Sequence, residues 1–279
     1  VTSHPIISER PPVLAERAWP GWTDRLALSA RVAERNVSAL SAGSWIILFT
    51  GFFEPLFYLL SIGVGLGTAI GDVTLPDGSV VSYPAFVAPA MVASYAMSSA
   101  LAETTFVFVG RLRYLKVYDA ILATPVRPVE IALGELGWAT VRVALYAAGF
   151  LAIMVGLGHT TPVRALAALP AAILSALAFG CLGILAATLV RDWRDFDAMG
   201  LVQFAMFMFS ATFTPIAAYP VAVQWIVRAT PLYHAVTLIR AITTGTAGWA
   251  QLVDAGYLVV IVVLGIAVAS RRIGRLLCA

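Results

Sequence analysis

RLRYLKVYDAILATPVRPVEIALGE, residues 111 to 135, is the one long charged, proline-broken stretch set between two long apolar runs. Projected on a helix, Tyr114, Leu115, Tyr118, Ile121 and Leu122 fall on one face, while Arg113 and Lys116 point away. Thr124-Pro125 ends the run, and Pro128 keeps the following residues from rejoining the same helix. An amphipathic helix over about 111–124, lying parallel to a membrane between two spans, suits docking into a groove on a soluble partner. The same pattern fits an ordinary basic loop resting on lipid headgroups.

The flanking composition fixes the solvent. Of 279 residues, 60% are hydrophobic and 12% charged, against about 25% charged in a globular domain. Uncharged runs alternate with short charged loops, which implies one polytopic membrane domain and excludes separate water-soluble ones. Residues 1–23 mix Pro, Arg, Glu and Trp without periodicity and read as a flexible cytoplasmic lead-in. The first 40 residues hold no apolar core for a cleavable signal peptide, so the amino terminus is expected to be retained. Over 24–43 the pattern turns helical: Leu26, Ala30, Ala33, Val37 and Leu40 oppose Asp24, Arg31 and Arg35, as in a helix lying on the membrane surface. A hydrocarbon core of about 30 Å requires about 20 helical residues. Six spans are expected within 44–279, at 44–69, 84–109, 132–157, 165–190, 198–222 and 252–270.

Charge sets the orientation. With a cytoplasmic amino terminus, fourteen of the 18 basic residues collect on the inner side and only Arg164, Arg228 and Arg240 on the outer, which puts both termini in the cytoplasm. The first outer loop, GDVTLPDGSVVSYP, carries aspartates and no basic residue. Between spans five and six, Pro215, Pro220 and Pro231 prevent one continuous helix. Short helices dipping into the outer leaflet are expected there, as an outer helical hairpin. The formal charge of +3 is too small to signal nucleic acid, and Cys181 and Cys278 form no disulfide framework.

A charged group in hydrocarbon costs about 2.5–3.5 kcal/mol on insertion scales, so Glu54, Glu103 and Arg142 are functional candidates. At about 1.5 Å per residue, either glutamate comes within reach of Arg142. Glu135 and Arg142 share one face of the third span, with Trp138 between them. This set serves either as an ion pair holding the bundle together or as part of a substrate path. No phosphate-binding G-x-x-x-x-G-K-S/T loop is present, and Gly63-Val64-Gly65-Leu66-Gly67 lies in an apolar run without the strand that a nucleotide fingerprint needs. His4, His159 and His234 lack metal-ligand spacing. No catalytic residue, cofactor or metal is expected on this chain.

These residues resemble the type-2 ABC transporter permeases, and within them the branch typified by exporters of nodulation lipo-oligosaccharides and related drug exporters. The resemblance rests on Glu54-Pro55 with the glycine run to Gly67, Phe86-Val87-Ala88-Pro89-Ala90, Glu103, Arg111-Leu112, the run Tyr118 to Pro125, Gly134-Glu135, Trp138 and Arg142. The stretches Phe209 to Pro215 and Pro231 to Arg240 look like the family's outer hairpin, with Thr214 standing where a bulky apolar residue is more usual. The resemblance implies an all-α, six-span subunit of the bacterial plasma membrane that pairs with a second copy or a paralogue. Two separate ABC ATPase subunits, carrying the ATP and Mg, would dock on the coupling helix through Arg113, Tyr114, Lys116, Tyr118 and Leu122. An amphipathic substrate, glycolipid or hydrophobic drug, would leave past Phe213, Pro215, Tyr233, His234 and Arg240. A different class also fits the charges: a secondary transporter or channel without an ATPase, using Glu54, Glu103 and Arg142.

Overall fold

The computed structural model describes residues 67–75, 78–115, 117–122, 126 and 128–277, together with Phe53, Phe57, Leu60, Ser61 and Gly65. The lead-in 1–23, the expected interfacial helix 24–43, most of the first span, Glu54 and Lys116 lie outside the described residues. The loop expected after span one contains a small hairpin, β1 (Asp72–Thr74) and β2 (Val80–Ser82), antiparallel with Val73 opposite Val81. Helices follow as α1 (Tyr83–Ala102), α2 (Val117–Leu122), α3 (Pro128–Gly156), α4 (Pro162–Ala187), α5 (Trp193–Met208), α6 (Val221–Ala229), α7 (Pro231–Thr244) and α8 (Trp249–Leu277).

Prolines open α3, α4 and α7, where a missing N–H costs nothing and the fixed φ already suits the helix. Thr161 and Thr230 cap α4 and α7, their hydroxyls accepting from the N–H of Arg164 and Tyr233. α1 does not end at Ala102. It continues through two wide π turns, Glu103–Val107 and Gly110–Tyr114, in which Phe108 and Leu115 donate to the carbonyls of Glu103 and Gly110, five residues back. The result is one 32-residue rod, Tyr83–Tyr114, five residues longer at its lower end than the span expected over 84–109.

Four described helices are long and apolar enough to cross a membrane: Tyr83–Tyr114, Val129–Gly156, Pro162–Ala187 and Trp249–Ala269. The chain is an all-α, multi-pass membrane protein apart from its small hairpin. The fifth expected span, 198–222, has different bounds. α5 covers Trp193–Met208, 16 residues or about 24 Å. Beyond it Phe209 leaves helical geometry (φ −108°, ψ 38°) and Ala211 is left-handed at φ 56°, so the uncharged run does not continue as one helix. Two short helices, α6 and α7, then occupy the region expected to form a helical hairpin.

α4 is the hub, packing against α1, α3, α7 and α8. It carries buried small residues Ala168, Ala172 and Ala176, and α1, which packs against it, carries buried Ala88, Val92, Ala96 and Ala100, both at four-residue spacing. Small side chains let the two backbones approach closely, which drives helix association where lipid removes the hydrophobic effect. Large apolar groups point outward instead. Val253, Val260 and Leu264 on α8, and Leu201 and Phe204 on α5, are all exposed. Gly183 marks the closest approach: a Cβ there would sit 2.0 Å from Thr104 Oγ1 and 3.5 Å from the Leu101 Cα. Replacing Gly183 with valine is expected to cost about 1–3 kcal/mol, read as a lower Tm in detergent. An unchanged Tm would show slack between α1 and α4.

Candidate functional site

Two buried glutamates and two partly buried arginines form one connected chain. Glu103, 4% exposed, stands at the first π turn. Its Oε2 accepts from Arg142 Nη1 at 2.7 Å and its Oε1 from Trp138 Nε1 at 3.1 Å. Arg111 lies 3.7 Å from Glu103 through Nη2 and donates through Nη1 to Glu135 Oε2. The other oxygen of Glu135 accepts from the Tyr118 hydroxyl at 3.1 Å. Glu135 and Tyr118 are fully buried, and Tyr118 packs on the ring of Phe108 with centroids 5.2 Å apart. Two guanidinium groups thus face two carboxylates, and the set is formally neutral. It ties the short helix α2 to α1 and α3 through charge-assisted bonds, the stronger kind.

The same end of the bundle is joined to α5. Arg113 donates through Nη1 to the Arg191 carbonyl at 2.8 Å and through Nη2 to that of Val190. Tyr114 packs on Trp193 at the start of α5, with centroids 5.6 Å apart, and Trp193 on Phe106 and Phe196. The carboxylate of Asp195 accepts from the backbone N–H of Arg191 and Asp192.

At the other end, Arg240 is buried and donates through Nε to the Phe86 carbonyl at 2.9 Å and through Nη2 to those of Ala211 (2.9 Å) and Thr212 (3.3 Å). It thereby holds the left-handed turn after α5 against α1. The Tyr83 hydroxyl donates to the Phe213 carbonyl at 3.3 Å, and the Phe213 ring packs edge-on to Phe207. His234 Nδ1 lies 2.6 Å from Asp254 Oδ1 and its Nε2 2.9 Å from the Arg228 carbonyl, with the ring stacked on Tyr257 at 4.0 Å. Thr237 donates to the second oxygen of Asp254 at 2.8 Å. Among the described residues no three of His, Cys, Asp and Glu converge as a metal site would require.

A family model described as ABC-2 type transporter matches residues 31–244. This chain belongs to the ABC-2 type transporter family. Nodulation protein J of Rhizobium leguminosarum bv. trifolii is 36% identical over 216 residues, covering 77% of this chain and 80% of that protein. Nodulation protein J of Rhizobium meliloti (strain 1021) is 35% identical over 216 residues, with the same coverage of both chains. The ABC-2 match includes every residue of the polar chain and of the Arg240 turn.

For this ABC-2 permease, the residues expected to matter fall into two groups at opposite ends. Glu103, Glu135 and Arg142 come together, and Tyr118, expected on the coupling helix with the partner-facing side left open between its apolar face and Arg113 with Lys116, joins them in the interior. The expected helix over 111–124 is in fact split: Gly110–Tyr114 is the second π turn and α2 begins at Val117. Tyr114 and Leu115 are 61% and 70% exposed and Tyr118 is fully buried, so they do not share a face. The π turns carry more residues per turn than the 3.6 used for the projection. The Leu122 side chain lies outside the described residues. Pro215, Tyr233 and Arg240 line one cavity, while Phe213 and His234 stand apart from it. Sequence reading missed Arg111 as the bridge between two glutamates, and Asp254 as the partner of His234. The signals were an arginine eight residues below an intramembrane glutamate, and a carboxylate just inside the last apolar run.

Glu103→Gln leaves the partly buried Arg142 without its counter-charge, and breaking a fully buried pair costs about 3–5 kcal/mol, an upper bound here. Thermal unfolding should therefore show a large loss for Glu103→Gln and for Arg142→Met, and a double variant less impaired than the sum. Full additivity would mean that the two groups do not interact.

Proposed function

We propose that this chain is the permease subunit of an ATP-driven exporter, moving an amphipathic molecule outward across a bacterial plasma membrane. The Arg-rich end, with Arg111, Arg113 and Arg191, is the cytoplasmic side, and both termini lie there. Six spans are completed by the segment before Gly67 and by α5, with α6 and α7 as the hairpin on the outer side. Two ATPase subunits supply ATP and Mg, and a second permease copy or paralogue closes the path.

The observation that carries this reading is the polar chain from Tyr118 through Glu135 and Arg111 to Glu103 and Arg142. Coupling requires contacts that differ between two states, and a rigid, charge-matched chain transmits displacement of α2 into the two spans beside it. Tyr114 and Leu115 are exposed apolar groups at this end, as are Leu189 and Trp193, and Tyr114 and Leu115 replace Tyr118 as the surface offered to the motor. The carboxylate oxygens of Glu103 are occupied by Arg142, Trp138 and Arg111, which favours a mechanical role over the ion path of a secondary transporter. The proposed substrate class, a glycolipid such as a lipo-oligosaccharide or a hydrophobic drug, is the one that the family resemblance implies.

Leu115→Asp is expected to lower co-purification of the ATPase from the same gene cluster by about tenfold, equivalent to about 1.4 kcal/mol, with unchanged membrane abundance. Tyr118→Phe should keep the ATPase bound while transport into inverted vesicles falls. Normal ATPase binding in Leu115→Asp together with normal transport in Tyr118→Phe would remove the coupling role.

A further inference from the structure

A cavity of about 510 Å³ lies beside α7, with Leu75, Phe86, Ile216, Tyr233, Arg240 and Trp249 among its walls. Arg240 is the one buried arginine among the described residues. Three carbonyls take its Nε and Nη2 donors. The two N–H groups of Nη1 make no hydrogen bond to the described residues. Arg111 and Arg142 each pair with glutamate; Arg240 has no carboxylate within 4.0 Å among the described residues. Asp254, on α8, is committed to His234 and Thr237. The guanidinium instead stacks on Phe86, with Cζ 3.8 Å from the ring centroid. A cation walled by carbonyls and an aromatic face, with two donors unspent and an apolar cavity beside it, is short of one negative charge.

We propose that this cavity binds the anionic group of an amphiphile, a phosphate or carboxylate held by Arg240 Nη1. The apolar tail would leave past Trp249 onto the outward face of α8, where Leu252 and Val253 are exposed. Guanidinium recognises planar and tetrahedral oxyanions through paired N–H donors, and a tail anchored on that face adds affinity that a free inorganic anion lacks. The ligand comes either from the surrounding bilayer, as an acidic phospholipid, or from the transported molecules. The inference uses the transport reading only in taking this end of the bundle as membrane-facing.

Binding is measured on the full chain in dodecyl maltoside, without ATPase, by calorimetric titration with dodecyl phosphate and with the zwitterionic control dodecylphosphocholine. Dodecyl phosphate should bind at one site per chain at least about tenfold more tightly than the control, a difference of about 1.4 kcal/mol. Arg240→Gln should abolish the preference. Because Arg240 also holds the turn after α5, Ala217→Trp is the second variant: Ala217 lines the cavity and makes none of the Arg240 bonds, so a bulky ring there should block binding with Tm unchanged. Equal affinity for the two detergents, or full binding in Ala217→Trp, overturns the proposal. Native mass spectrometry separates the sources. One phosphatidylglycerol per chain, displaced by dodecyl phosphate, assigns the site to the bilayer's lipid; a vacant purified chain that takes up dodecyl phosphate assigns it to passing amphiphiles. Loss of binding here leaves ATPase docking at Leu115 untouched, so the two readings fail separately.

Discussion

A carboxylate cannot remain charged and alone in the low-dielectric interior of a helix bundle. Glu103 therefore dictates its neighbourhood. Arg142 and Trp138 must project from α3 at the same level, and Arg111 must return to it from further down α1. Arg111 in turn neutralises Glu135, which leaves one oxygen for Tyr118. Each partner is placed by the unmet charge of the one before, so α1, α2 and α3 have one relative arrangement in which every charge is matched.

That arrangement rests on α4, whose small residues give α1 a close, weakly directional contact. The bundle thus combines two kinds of interface. Alanine stripes fill space without fixing rotation, and the polar chain fixes rotation without filling much space. α5 is attached differently, through the aromatic group around Trp193 and the carbonyls held by Arg113. It has no fully buried residue of its own.

The membrane character, the long helices and the approach of Glu103 to Arg142 were legible in the sequence, because hydropathy and intramembrane charge report directly on solvent. The face assignments around Tyr114 to Leu122 were not, since a projection at 3.6 residues per turn has no means of sensing two π turns. The end of α5 was hidden for another reason. Its stop is set by Ala211 in left-handed geometry, a residue type that favours helix, held there by Arg240 from α7. Arg111 and Asp254 escaped notice because each looks like a charge at a span end until the partner on another helix is known.

The π turns of the long α1 rod also make this segment one in which the chain keeps count. Surface loops accept an inserted or deleted residue at little cost, because their ends need only meet. Between Glu103 and Arg111 the first π turn already takes up one residue more than ordinary winding would, so one residue added there would swing everything below it by about 100° and carry Arg111 away from both glutamates. In related chains this stretch should gain no residue without a further widened turn to absorb it, a constraint more familiar from the heptads of coiled coils than from the middle of a membrane span.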